Sequence, residues 1–194
     1  DERMSYEEAQ FILKNNKEKL PPNVTISGKS KKVSKEICEA LLTLNSIAIS
    51  LKQKRKKKGS VFFNKEEVRF VVDKNGEPID YSIKVQKEAN HLIEEFMLLA
   101  NVLVAKKIKE KKRTAVFRIH DYPDEEKILE LERFVRNLGY NVRLSNVKDI
   151  NTALNALLNA VENKPEKNVV DMMVIRSMSK AKYSINNIGH FGLG

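Results

Sequence analysis

The chain has 194 residues, enough for one domain with room for a small appendage. Lysine and arginine number 36 against 26 acidic residues, a formal net charge of +10, and the single cysteine excludes an internal disulfide. No stretch approaches the roughly 18 apolar residues of a membrane-spanning helix, and the Asp1-Glu2-Arg3 start has no signal-peptide character.

The excess of cations points to a polyanionic partner, with RNA, DNA and an acidic membrane surface as candidates; a solubilising surface is the bland alternative. Cys38 sits on an apolar helical face and reads as core. Its solitary thiol fits a reducing, cytoplasmic setting. The missing initiator Met leads us to expect a chain cut from a longer protein.

Taken in order, residues 5–20 predict a helix capped by Ser5, with Glu7 and Glu8 in its first turn and Pro21-Pro22 at its end. Residues 21–33 lack apolar periodicity and read as a loop, so 1–33 are expected to form an N-terminal helix and loop. Ser34 caps a second helix whose apolar positions, Ile37, Ala40, Leu41, Leu44, Ile47, Ala48 and Leu51, recur at steps of three and four and predict one core-facing side. This helix leaves through Lys52, Lys54, Arg55, Lys56, Lys57 and Lys58 before Gly59. Those six cations supply six of the ten net positive charges. They read either as a phosphate-binding end or as a solvated helix terminus.

From 61 to 85 the period changes to two. Val68, Phe70 and Val72, then Ile79, Tyr81, Ile83 and Val85, flank Asp73-Lys74-Asn75-Gly76-Glu77-Pro78, a hairpin signature; Val61–Phe63 is a candidate extra strand. Residues 87–111 form the longest expected helix, apolar around most of its circumference from Leu92 to Val104 and therefore expected to be central and buried. Asn90, Glu94 and Asn101 fall on nearly one line of it, beside Met97, and read as a bracing stripe or as an exposed one. Thr114–His120 predicts a strand that puts Arg118 and His120 on one face, where a lone histidine is usually structural. Pro123 is expected at the first position of a helix reaching Asn137, with Gly139 just beyond it. Helices are expected over 149–162, with Leu154, Leu157, Leu158 and Val161 inward, and over 166–178, with Val169, Met172, Met173 and Ile175 inward.

The class is α+β, dominated by helices, with a β-hairpin and a long central helix. No metal-ligand spacing, P-loop, Gly-x-Ser-x-Gly elbow or dinucleotide fingerprint is present, and His91 and His190 stand isolated in the sequence. In the last block, Arg176, Tyr183, His190 and Phe191 accompany the Asn- and Gly-bearing stretch 186–189. The rings there read either as stacking surfaces for bases or as core anchors.

Three blocks carry a resemblance: Ala89–Asn101 (ANHLIEEFMLLAN), Phe117–Asp124 (FRIHDYPD) and Ile175–Leu193 (IRSMSKAKYSINNIGHFGL), with Arg55-x-x-x-Gly59 and Asp73-x-x-Gly76-x-Pro78 in order before them. Together they resemble the RNB catalytic domain of the ribonuclease II/ribonuclease R exoribonucleases, most of all the ribonuclease R branch. The resemblance implies processive 3′-to-5′ hydrolysis of single-stranded RNA threaded through a basic channel, release of nucleoside 5′-monophosphates, and magnesium to activate water.

The resemblance further implies that the metal is held by clustered aspartates near the start of the RNB domain. Asp121 and Asp124 do not match that cluster. An arginine-bearing segment that assists at the scissile phosphate follows the last block in the family. Residues 34–194 are therefore expected to be the central part of an RNB domain truncated at both ends, with no catalytic residue and no bound magnesium of its own, and inactive alone. Lys54, Arg55, Lys56, Lys57, Lys58, Phe117, Arg176 and Tyr183 are the expected RNA contacts. Asn90, Glu94, Asn101, Arg118 and His120 are the expected structural supports. The alternatives are a non-catalytic basic RNA-binding module and, in third place, a helical protein-interaction scaffold. Oligomeric state is left open.

Overall fold

Helices and short antiparallel strand pairs make up the residues that a computed structural model describes, namely 3–15, 24–26, 29–31, 33–62, 67–145 and 147–193. The class is the helix-rich α+β arrangement that the patterning indicates. Two compact units emerge: residues 1–53 with 64–104, and residues 54–63 with 105–194.

In the first unit, α1 (Tyr6–Lys14) opens with a capping box. Ser5 Oγ accepts from Glu8 N at 3.2 Å and Glu8 Oε2 accepts from Ser5 N at 2.6 Å. The helix ends at a cap on Asn15, and the expected continuation over 16–20 lies outside the described residues. The expected loop 21–33 is corrected in part: β1 (Val24–Ile26) and β2 (Lys29–Lys31) pair antiparallel there. Strands of three residues are too short to show a period, whereas the β-branched Val24-Thr25-Ile26 run favours extended backbone. Residues 1–33 thus share a compact unit with the start of α2 (Lys35–Lys57). Ser34 Oγ accepts from Ile37 N at 3.3 Å and caps α2.

Ile12, Val33 and Cys38 form a small core, with Met4, Phe11, Ile37 and Leu41 against it. The predicted inward side of α2 is only half realised. Cys38 and Ala48 are buried, but Ala40, Leu44 and Ile47 are exposed. The strands β3 (Glu67–Val72) and β4 (Pro78–Lys84) form the expected hairpin, with Gly76 at φ +87° in its turn. Direct partners Val68/Ile83 and Phe70/Tyr81 share one face of it, and that face is open, Phe70 being 68% exposed. No strand forms at Val61 or Phe62, and Phe63 lies outside the described residues.

The long helix α3 (Glu88–Glu110) is where the reading needs its largest correction. It buries only Ala89, Leu92 and Glu95, while Ile93, Met97, Val102, Leu103 and Val104 are exposed. Apolarity around a whole helix states what it can bury, not what lies over it. Its N-terminus is well anchored. Gln10 Oε1 accepts from Ala89 N at 3.0 Å, and Asn90 Oδ1 accepts from Lys87 N at 3.0 Å.

The second unit holds the main core: Leu131, Val135, Leu144, Leu154, Leu157, Val161, Val170 and Val174 are essentially inaccessible. Truncating any one of the leucines there to alanine costs about 2–5 kcal/mol. These side chains come largely from α4 (Glu125–Asn137), α5 (Ile150–Val161) and α6 (Lys167–Ser177). Asp124, not Pro123, starts α4, because its carboxylate accepts from Glu126 N and Lys127 N. Asp149 caps α5 in the same way, through Thr152 N. In α6 the inward side is Val170, Val174 and Ser177, while Val169 and Met172 face solvent. The helix is apolar on several sides, so contact with α4 and α5, rather than spacing, selects the buried stripe.

The predicted strand 114–120 shortens to β5 (Phe117–Ile119), paired antiparallel with β6 (Lys182–Ser184). His120 adds a single parallel bridge to His190.

Candidate nucleic-acid interface

The cationic end of α2 belongs to the second unit from Lys54 onward. Lys54, Lys56, Lys57 and Lys58 are exposed, so their charges face solvent. Arg55 is half-buried and lies over the Phe62 ring, 4.8 Å from its centroid. Gly59, at φ +91°, ends the helix.

The chain leaving this helix is pinned. Ser60 is fully buried, and its hydroxyl donates to the carbonyl of Leu193. Val61 N donates to Gly192 O at 3.3 Å, and Asn155 Nδ2 donates to Ser60 O at 3.0 Å. The helix that carries the cations is therefore fixed at its exit to the turn 191–193 and to α5. Sequence reading missed Ser60, Asn155 and also Asn151, whose Nδ2 donates to Phe191 O at 3.5 Å. The available signal was the four-residue recurrence of Asn151, Asn155 and Asn159 on a largely apolar helix.

Beside that turn, His120 and His190 meet edge to face with ring centroids 4.8 Å apart, so His190 is not isolated. Gly192 N donates to His120 Nδ1 at 3.4 Å, which leaves Nε2 to carry the proton and donate to Ser179 O at 2.8 Å. His120 is half-buried, and its ring links the end of β5 to Ser179 and to Gly192 of the C-terminal turn. Burial, then His120 and then Arg118 lower the pKa of His190 below the usual imidazole value. Phe191 is buried in the main core, whereas Tyr122 stands 73% exposed with its ring 5.5 Å from that of Phe191. Tyr122 is a further exposed ring that the sequence reading passed over.

The remaining candidates divide between the units. Phe117 is half-buried on β5, Arg118 and Tyr183 are exposed on β5 and β6, and Arg176 is exposed in the last turn of α6, all in the second unit. Asn90, Glu94 and Asn101 belong to the first. Asn90 caps α3, Glu94 meets His91 Nδ1 at 3.2 Å, and Asn101 is exposed.

Among the described residues no group of three or more His, Cys, Asp or Glu converges where an ion would sit. Asp121 Oδ1 accepts from Tyr122 N and Asp124 caps α4, so both nearby aspartates serve the backbone. The described residues do not fit a divalent-metal site. Among them, too, no helix is long and apolar enough to cross a membrane.

Comparison with known proteins then decides the family: the RNB domain matches residues 1–194, the whole chain. The chain belongs to the RNB-domain family. Among RNB proteins it is 33% identical to ribonuclease R of Aquifex aeolicus over 157 residues, covering 81% of this chain and 22% of that protein. It is 30% identical to ribonuclease R of Mycoplasmopsis pulmonis over 191 residues, 98% of this chain and 24% of that protein. Its fold superposes on Mycoplasma genitalium RNase R, solved with ribose-methylated single-stranded RNA, at TM-score 0.82 and 24% identity, covering 99% of this chain and 28% of that one. The chain thus spans about a quarter of the length of these RNB relatives.

Proposed function

We propose that this chain is part of a processive 3′-to-5′ exoribonuclease that hydrolyses single-stranded RNA to nucleoside 5′-monophosphates, and that it supplies a cationic wall of the RNA path without cutting RNA itself. The match to the RNB family along its full length carries this reading. The exposed lysines at the end of α2 support it, because each phosphate they neutralise releases counterions. Magnesium is the metal of the whole enzyme in this proposal. Inactivity of the 194 residues alone is part of the same proposal, supported by the finding that no group of three or more His, Cys, Asp or Glu converges among the described residues. The buried thiol of Cys38 agrees with work in the reducing cytoplasm.

The test is to incubate the purified chain with magnesium and single-stranded RNA. No monophosphate should appear. Release that co-purifies with the chain through stringent columns would refute its inactivity. Supplying the rest of an RNB protein in trans, or fusing the chain into one in place of the matching segment, should yield processive 3′ trimming.

A second reading, a non-catalytic basic RNA-binding module, is favoured by the exposure of Lys54, Lys56, Lys57 and Lys58. It predicts affinity for single-stranded RNA that falls steeply with salt and drops on replacing Lys54, Arg55, Lys56, Lys57 and Lys58 with Gln. Equal binding by that variant removes this reading.

A further inference from the structure

The pairing of β5 with β6 sets Arg118 directly opposite Tyr183. Directly opposed residues of an antiparallel pair project from the same face, with Cβ atoms roughly 4.5–5.5 Å apart. That face is turned away from the core. The neighbouring Ile119 is buried, whereas Arg118 is exposed and Tyr183 is 75% exposed. Among the described residues, the Arg118 guanidinium has no hydrogen-bond or ion-pair partner, and neither a hydrogen bond nor a ring contact occupies the Tyr183 side chain. A brace would hold something; Arg118 holds none of the described residues.

The two stretches that carry this pair hold charge of one sign. Residues 113–120 contribute Arg113 and Arg118, residues 175–193 contribute Arg176, Lys180 and Lys182, and neither stretch contains Asp or Glu. The nearest carboxylate in sequence, Asp121, is engaged by the backbone of Tyr122. An open ring beside an uncompensated guanidinium, between stretches that carry no acid, matches a ligand with a flat π-face and an adjoining anion. A nucleotide within a single strand has both.

We propose that Arg118 and Tyr183 form one nucleotide subsite for single-stranded RNA, in which the Tyr183 ring stacks on a base and the Arg118 guanidinium takes the adjacent phosphate. This rests on the RNA reading above and moves Arg118 from support to contact. The subsite is tolerant of base identity, because every base offers a π-face for the ring to stack on.

The chain contains no tryptophan, so Tyr183→Trp places a unique indole in the subsite, whose emission is read apart from that of the tyrosines. Titration of that variant with an oligoadenylate should quench its emission saturably. An abasic ribose-phosphate oligomer should bind with little quenching. Tyr183→Leu should weaken oligoadenylate binding about tenfold with an unchanged salt slope, since stacking releases no counterions, and Tyr183→Phe should restore the affinity. Arg118→Gln should lower the salt slope by about 0.7, the value for one phosphate contact on a single strand. The exposure of both residues keeps these variants folded, which thermal unfolding checks.

Retention of RNA by the Tyr183→Trp variant with its indole emission unmoved overturns the subsite while leaving the RNA reading standing. Quenching by polyglutamate but not by RNA assigns the face to an acidic protein and overturns it as well. Failure of the unmodified chain to retain RNA at any salt brings down the binding reading and the subsite together.

Discussion

The side-chain amide of Asn155 donates to the backbone carbonyl of Ser60 at 3.0 Å, bridging 95 positions of sequence. It satisfies a carbonyl on a fully buried residue whose hydroxyl is committed to Leu193. Asn155→Ala strands that carbonyl away from water, which costs about 1–3 kcal/mol. The expected outcome is a lower urea midpoint with an unchanged slope. An unaltered midpoint would show that the bridge contributes nothing to stability.

Gly59 and Gly76 offer a controlled pair. Both have positive φ, +91° and +87°. An added Cβ at Gly59 would lie 3.1 Å from Asn151 Cβ, whereas at Gly76 it would meet nothing within 4 Å. Gly76→Ala therefore incurs only the left-handed backbone strain, about 1 kcal/mol. Gly59→Ala adds a steric push on α5, which also carries Asn155, and should cost about 1–3 kcal/mol more. Thermal unfolding of the two single variants checks the order, and equal losses would discount the contact with Asn151.

How much of this was legible beforehand follows from where the information resides. The caps at Ser5 and Ser34 and the turn at Gly76 are local chemistry, so the residues themselves announce them. The inward stripe of α5 was legible because Leu154, Leu157, Leu158 and Val161 form a single apolar side. α6 and α3 are apolar on several sides, so their buried faces depend on neighbours that spacing cannot name. The cations of α2 were evident from composition. Their anchorage through Ser60 and Asn155 and the opposition of Arg118 to Tyr183 are long-range relationships that required the pairing itself. The meeting of His120 with His190 is of the same kind.

Glu132 sets an acid limit to stability. Its Oε2 accepts from Leu144 N at 2.8 Å, Ser145 N at 2.8 Å and Ser145 Oγ at 2.7 Å, and its Oε1 meets Arg136 at 2.7 Å. The hydrogen bonds from Ser145, its backbone first, then that from Leu144, with a smaller effect of Arg136, lower its pKa from 4.5 to about 2. A depressed carboxylate pKa contributes stability that is complete above the unfolded value and lost as pH falls from about 4.5 towards 2. Glu132→Gln should lower stability at pH 7 by about 1–3 kcal/mol, because an amide oxygen cannot serve three donors as a carboxylate does. It should also flatten the acid limb of the unfolding curve. A limb of unchanged steepness would assign acid loss to other groups.

His190 acts in a higher pH window. Its pKa is lowered by burial first, then by His120 and Arg118, and its Nδ1 is buried with no hydrogen-bond partner among the described residues. A histidine with a depressed folded pKa binds its proton more readily when unfolded. Stability therefore rises with pH across this window, and is lost as pH falls through the unfolded value near 6.5 and on towards the lower folded one. Protonation would place a cation beside Arg118 and against the His120 ring, at the bridge that holds β5 to the C-terminal turn. The unfolding midpoint should fall between about pH 7.5 and pH 5, above the range in which Glu132 titrates. His190→Gln cannot gain that charge. Whatever the stability of that variant at neutral pH, its midpoint should vary less across the interval than that of the unmodified chain. Parallel curves for the two proteins would mean that His190 is not the group responsible.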